Sequence, residues 1–297
     1  MKKQMLTLAT ACVALGLVGR AEAINLGSVS DVTRVARDVK DVAKSLAIND
    51  QKEMEIGAST HPQIVAQMGG EVHNPKLQQY VERVGQRLAA KSDRTSIPYH
   101  FTVLNTDDFN AFALPGGYVY VTKGLLSAIR DESELAVVLG HEITHVSHKH
   151  GIKQLQTALV AKKGMGYATE AAAGAVAREA GGTAAWLAGE AMNKVMGVLM
   201  NFALQGYGRE QELDADKWGI RFANDSGYDP NGAVRMFEHL VKLEGGAKPK
   251  GLNALLASHP DSAKRLEVAK AEVATLSPPL GKMTNKPQYI GMVKALK

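Results

Sequence analysis

Val32, Val35, Val39, Val42 and Leu46 recur at alternating spacings of three and four along DVTRVARDVKDVAKSL. One apolar stripe on an otherwise charged segment predicts a helix, either packed on the body or free to dock a partner or a membrane surface. The same period returns in NPKLQQYVERVGQRLAAKS (74–92), where Leu77, Tyr80, Val81, Val84 and Leu88 share a side. Period two then takes over: YHFTVLN predicts a strand, and NAFALPGGYVYVTKGLL predicts two short strands joined through Pro115, Gly116 and Gly117. Proline fixes φ at the second turn position and glycine accepts a positive φ at the third. RDESELAVVLGHEITHVSHKHG is helical again, with Asp131 as cap, Glu134 reaching back, and Gly151 suited to its end. Residues 152–206 are rich in Ala and Gly with helical spacing, which predicts a close-packed hairpin or, alternatively, a lid over a cleft. Further helices follow at NGAVRMFEHLVKLE and at ASHPDSAKRLEVAKAEVATL, the second opened by Pro260 and Asp261. The tail beyond SPP carries no pattern.

Composition narrows the class. With 297 residues, 45% of them hydrophobic, the chain can bury a sizeable core. Its first residues, MKKQMLTLATACVALGLVGRAEA, have a basic start, an apolar run too short to span a bilayer, and Ala-Glu-Ala before the next segment. That layout predicts a signal peptide (1–23) cleaved after Ala23 and a periplasmic mature protein without a transmembrane span. Cys12, the only cysteine, lies inside it; ATAC read as a lipobox would instead give a chain lipid-anchored through Cys12. The formal charge of +5 falls to +3 once Lys2, Lys3, Arg20 and Glu22 are removed, which gives no electrostatic case for nucleic acid.

The chemistry concentrates in HEITH. His141 and His145, four residues apart on a helix, place both imidazoles on one face where they can grip a single ion. Glu142 projects about 100° away, beside the ion, where it can take a proton from water. His148 shares the face of His145 but lies two turns from His141, and neither it nor His150 can complete the same tetrahedral set on a straight helix. The third ligand must come from elsewhere. Two histidines with a carboxylate make a common catalytic zinc shell, which turns attention to REQELDADKWG. Glu212 is the candidate, Glu210 its rival, and Asp216, one turn on from Glu212, could orient a ligating histidine. The same residues could equally form a solvated helix face.

Taken together and in this order, NAFALPGG, ELAVVLGHEITH, QELDAD and SHPDSAKR resemble metallopeptidase family 48, the zinc peptidases that include the CAAX prenyl endopeptidases, HtpX and the BepA-type periplasmic proteases. The similarity runs from about Gln51 to about Val273. It implies an α+β, predominantly helical, zincin-like body (51–275) with a small sheet whose edge strand lies beside the HExxH helix. That body would lie between an amphipathic helix at 24–50, read from its apolar stripe, and a 276–297 tail. It implies one Zn2+ per chain held by His141, His145 and Glu212, with Asp216 behind them and Glu142 as the base of a gluzincin-type endopeptidase. Asn110, Ala111, Phe112, Ala113 and Leu114 would be the edge to which a substrate strand adds. His259 matches a position near the active site, either binding the developing oxyanion or covering the metal at rest.

The resulting expectation is an exported zinc endopeptidase acting on unfolded or misassembled envelope polypeptides, with envelope assembly factors as possible partners. A latent or chaperone-like scaffold that keeps its zinc site is the alternative. A purely structural zinc protein is a third reading, and it would require His148 in the coordination.

Overall fold

In the computed structural model the body is arranged around helix α4 (Glu132–Ser147), every residue of which is buried. The structure describes residues 48–157, 197, 199, 206–246, 251–277 and 279–296. The expected signal peptide with Cys12, almost all of the 24–50 helix and most of the 152–206 segment lie outside the described residues. The chain divides into two units: residues 1–47 with 156–181, nearly all outside the description, and residues 48–155 with 182–297, the body considered below.

Before α4 come α1 (Asp50–Gln67), α2 (Pro75–Ala89), strands β1 (His100–Leu104), β2 (Ala111–Leu114) and β3 (Tyr118–Thr122), and a short α3 (Lys123–Ala128). After it come α5 (Arg209–Asp225), α6 (Asn231–Glu244), α7 (Leu252–Ser258), α8 (Ser262–Thr275) and α9 (Lys286–Val293). The fold is α+β and mainly helical, as expected. The stripe in α2 is buried as its spacing predicts, and Asn74 caps the helix by accepting from Leu77 N at 3.1 Å. The sheet has the order β1-β3-β2, with β1 parallel and β2 antiparallel to β3. Gly116 and Gly117, at φ +82° and +91°, make the turn between β2 and β3.

Asp131 caps α4 by accepting from Glu134 N at 3.0 Å. Glu134, however, reaches one residue past the cap, to Arg130 N at 3.0 Å, because the Arg130 guanidinium also holds its carboxylate. The helix is not amphipathic. Its buried acid Glu132 is satisfied by the hydroxyls of Tyr80 and Tyr228 and by Asn285 Nδ2, so a charge inside the body has three donors. One of those donors belongs to the patternless tail, where α9 also buries Tyr289 and Val293. The C-terminal end departs from expectation too. The helix stops at Ser147, Lys149 takes φ +57°, and residues 150–157 start a new helix that contains Gly151. Lys149 reaches Asp50 at 2.7 Å, and Arg94 donates to Val146 O at 3.1 Å, so cations gather where the helix dipole leaves negative charge.

α4 and α5 cross at two glycines. A Cβ on Gly140 would lie 2.7 Å from Gly219 O, and one on Gly219 would lie 2.6 Å from His141 N. Only hydrogen fits between these backbones. Gly140→Ala should therefore cost about 1–3 kcal/mol of stability through overpacking, a drop of roughly 2–4 °C in Tm per kcal/mol. Gly291→Ala, on α9 with open space around it, should not lower Tm. Thermal denaturation of the two variants beside wild type checks the contrast.

Candidate metal centre

His141 and His145 project from α4, one turn apart, with their Nε2 atoms 3.0 Å from each other. α5 crosses them and brings Glu212 down between: its Oε2 is 3.4 Å from His141 Nε2, and its Oε1 is 3.6 Å from His145 Nε2. His259, from the turn between α7 and α8, hydrogen-bonds Glu212 Oε2 through Nδ1 at 2.7 Å. The four side chains offer ligand atoms that all lie within 4.8 Å of one another, and all four are buried. Glu142 stands beside them, its Oε1 3.9 Å from His259 Nε2. Buried Glu142 Oε2 and Glu212 Oε1 have no hydrogen-bond partner among the described residues. Two imidazoles and a carboxylate with an unsatisfied oxygen turned into the same space fit a zinc ion.

Asp216, one turn along α5 from Glu212, lies 2.9 Å from His141 Nδ1 and fixes that ring's orientation. Arg265 of α8 donates Nε–H to Asp216 Oδ2 at 2.7 Å, and its guanidinium stands 4.7 Å from the Phe237 ring centroid. Burial alone would lower His141, but its hydrogen bonds to Asp216 and Glu212 outweigh burial and hold it up at about 9. Burial, and next the charge of His141, pushes His145 well below the usual imidazole range. Glu142 is pushed up by burial, with His141 and His259 opposing. Burial also works against ionised Glu212 and Asp216. His259 and His141 nevertheless hold Glu212 well below the usual carboxylate range, and Arg265 holds Asp216 down. The site thus keeps Glu212 and Asp216 charged and eases proton capture by Glu142.

The structure brings together His141, Glu142, His145, Glu212, Asp216 and His259. Glu210 is exposed. β2 is one of the two edge strands of the sheet and packs on α4, with Asn110 one residue ahead of it and paired to Thr122. One cavity beside the donor set is lined by Phe109, Ala111, His141, Glu142 and His259, and a second by Ala113, Leu114, His145 and Tyr207, so the two flank it along β2. His148 is turned away from the inner set toward Asp214 and Asp93. Three neighbours had no assigned role in the sequence: Arg265, Tyr207, stacked on His145 with ring centroids 3.9 Å apart, and His150, whose Nδ1 is 2.9 Å from His145 Nδ1. Arg265 lies in the SHPDSAKR motif, which was its one available signal; nothing local marks Tyr207.

Residues 75–273 match the sequence pattern of peptidase family M48. The chain belongs to that family. Among its M48 relatives, the chain is 31% identical over 210 residues to the beta-barrel assembly-enhancing protease of Yersinia pestis, covering 70% of this chain and 41% of that protein. It is 26% identical over 283 residues to the protein of the same name from Escherichia coli K12, covering 94% of this chain and 54% of that one. It is 29% identical over 199 residues to the metalloprotease YcaL of the same strain, covering 65% and 71%. The chain thus spans about half the length of the assembly-enhancing proteases it matches.

Removing either partner of the Asp216–Arg265 pair has a distinct expected effect. Arg265→Met leaves a buried carboxylate without its cation and should cost about 3–5 kcal/mol of stability. Asp216→Asn removes the charge that backs the His141 ring and should weaken zinc binding about 10- to 100-fold. Denaturant unfolding reads the first, and competition with a chelator the second.

Proposed function

We propose that this M48 chain is a zinc-dependent endopeptidase. The reading is carried by one observation: His141, His145 and Glu212 converge with Glu142 beside them, whose Oε2 has no hydrogen-bond partner among the described residues. His141 and His145 through Nε2 and Glu212 through its carboxylate would hold one zinc ion per chain. Zinc bound there would supply Lewis acidity, polarising the scissile carbonyl and lowering the pKa of water toward neutrality. Glu142, raised by burial, takes the proton from the attacking water and delivers it to the leaving amine. Asp216, itself held by Arg265, would accept from His141 Nδ1 and leave Nε2 free to bind the ion. The β2 edge supplies backbone groups that hold an extended substrate beside Glu142.

His259 serves as a cover in the resting state. It reaches Glu212 and is itself buried, which makes a fourth protein donor where a catalytic zinc site keeps an open position. Swinging it out exposes the donor set to substrate. The substrates we infer are unfolded or misassembled envelope polypeptides, met in the periplasm after export, with envelope assembly factors as partners. The relatives' assembly-enhancing names support that class, as does the layout of the first residues. No helix among the described residues is long and apolar enough to cross a membrane.

Cleavage of casein by wild type and by Glu142→Gln, with zinc content measured in both, tests the reading. The variant should keep its zinc and lose at least a hundredfold in rate, the usual scale of general-base catalysis. Zinc bound without cleavage in either protein would leave a latent scaffold as the function. His259→Ala should raise the casein rate if the residue is a cover; a fall with zinc retained would make it an oxyanion binder instead.

A further inference from the structure

A second group of ligand atoms gathers where α4 ends. His148, His150 and Asp214 offer nitrogens and an oxygen that lie within 4.8 Å of one another. His148 turns Nδ1 to Asp214 Oδ2, and His150 turns Nε2 to the same oxygen at 3.3 Å. Unlike the inner set, this group is reachable from solvent, since the Asp214 side chain is 36% exposed. Two imidazoles and one carboxylate suit zinc or a similar late first-row divalent cation better than calcium or magnesium, which take oxygen shells. His148 is already oriented for the task. Asp93 lies 3.1 Å from its Nε2 and can hold the ring's proton there, which would leave Nδ1 for a cation shared with Asp214.

His150 differs, because the partner of its other nitrogen is a second histidine. Its Nδ1 lies 2.9 Å from Nδ1 of His145, whose Nε2 belongs to the inner set. An imidazole that binds a metal through Nε2 keeps its one proton on Nδ1. With a cation at the inner set alone, His145 Nδ1–H donates to His150 Nδ1, and His150 Nε2–H donates to Asp214. With cations at both sets, each Nδ1 carries a proton, and two donors face each other at hydrogen-bonding distance without an acceptor between them.

We propose that His148, His150 and Asp214 form an outer site for a transition-metal cation such as Zn2+, and that its filling opposes retention of the inner ion through the His145–His150 pair. The proposal rests on the zinc reading of the inner set. Because coupling between sites is reciprocal, the inner ion weakens the outer one by the same factor. Excess zinc would then act as an inhibitor by loosening the catalytic ion from behind, on the side of His145 away from substrate.

The test is a zinc titration of the metal-free full chain, with bound metal counted by competition against a chromophoric chelator, on wild type, His148→Ala and Glu212→Gln. Wild type should bind two ions, and filling the weaker site should speed loss of the tighter ion about tenfold or more. His148→Ala should bind one ion with the tight affinity unchanged and a release rate indifferent to added zinc. Glu212→Gln should lose the tight site and keep the weak one. A wild type that binds a single ion, lost in Glu212→Gln and kept in His148→Ala, would overturn the outer site. Two ions released independently would overturn the opposition. A tight ion that survives Glu212→Gln would instead sink the inner reading, and the proposal with it.

Discussion

The constraint on which the candidate site depends is the contact of two backbones. Where α4 meets α5, Gly140 and Gly219 leave no room for a side chain, and His141, His145 and Glu212 lie within a turn or two of that point. His141 follows Gly140 directly, Asp216 sits one turn before Gly219, and Glu212 one turn before that. The distances among them follow from how near two helix axes can come. At an ordinary separation the carboxylate of Glu212 would not reach between two imidazoles of the opposing helix. The geometry of the candidate site and core packing are in that sense one requirement.

The second requirement is electrical. α4 and α5 bring two histidines and three carboxylates together as buried side chains. Arg265 from α8 and His259 from the turn before it supply the balancing groups. α8 is thus part of the site although it donates no ligand. The same logic recurs at the other end of α4, where Glu132 is held by two tyrosines and an asparagine drawn from three separate parts of the chain. Buried polar groups with complete sets of partners tie distant segments to one arrangement.

What the sequence made legible follows from range. The spacing of His141, Glu142 and His145 is a local fact of helix geometry, and so is the shared face of Glu212 and Asp216; the α2 stripe and the β2–β3 turn are equally local. Spacing alone left Glu212 and Glu210 open, because both are acidic residues on one segment; the resemblance chose Glu212, and the crossing with α4 supplies the physical reason. The His150 contact was hidden by the assumption of a straight helix through residue 150. The left-handed Lys149 breaks it and swings His150 back under His145. Arg265 and Tyr207 owe their places to packing between elements far apart in sequence. The tail lacked any period because α9 buries only Tyr289 and Val293.

β2 lies at the margin of the sheet, next to the helix that carries Glu142. A ladder of amide and carbonyl groups is the same for every residue but proline, so an edge of this kind reads no particular sequence. It can be joined only by a stretch of chain whose own backbone groups are unpaired. Natively folded proteins keep those groups engaged, and chains that have failed to fold do not. Discrimination by such an edge would be between conformations, with the amino-acid identity of the chain left to minor contacts in the flanking cavities.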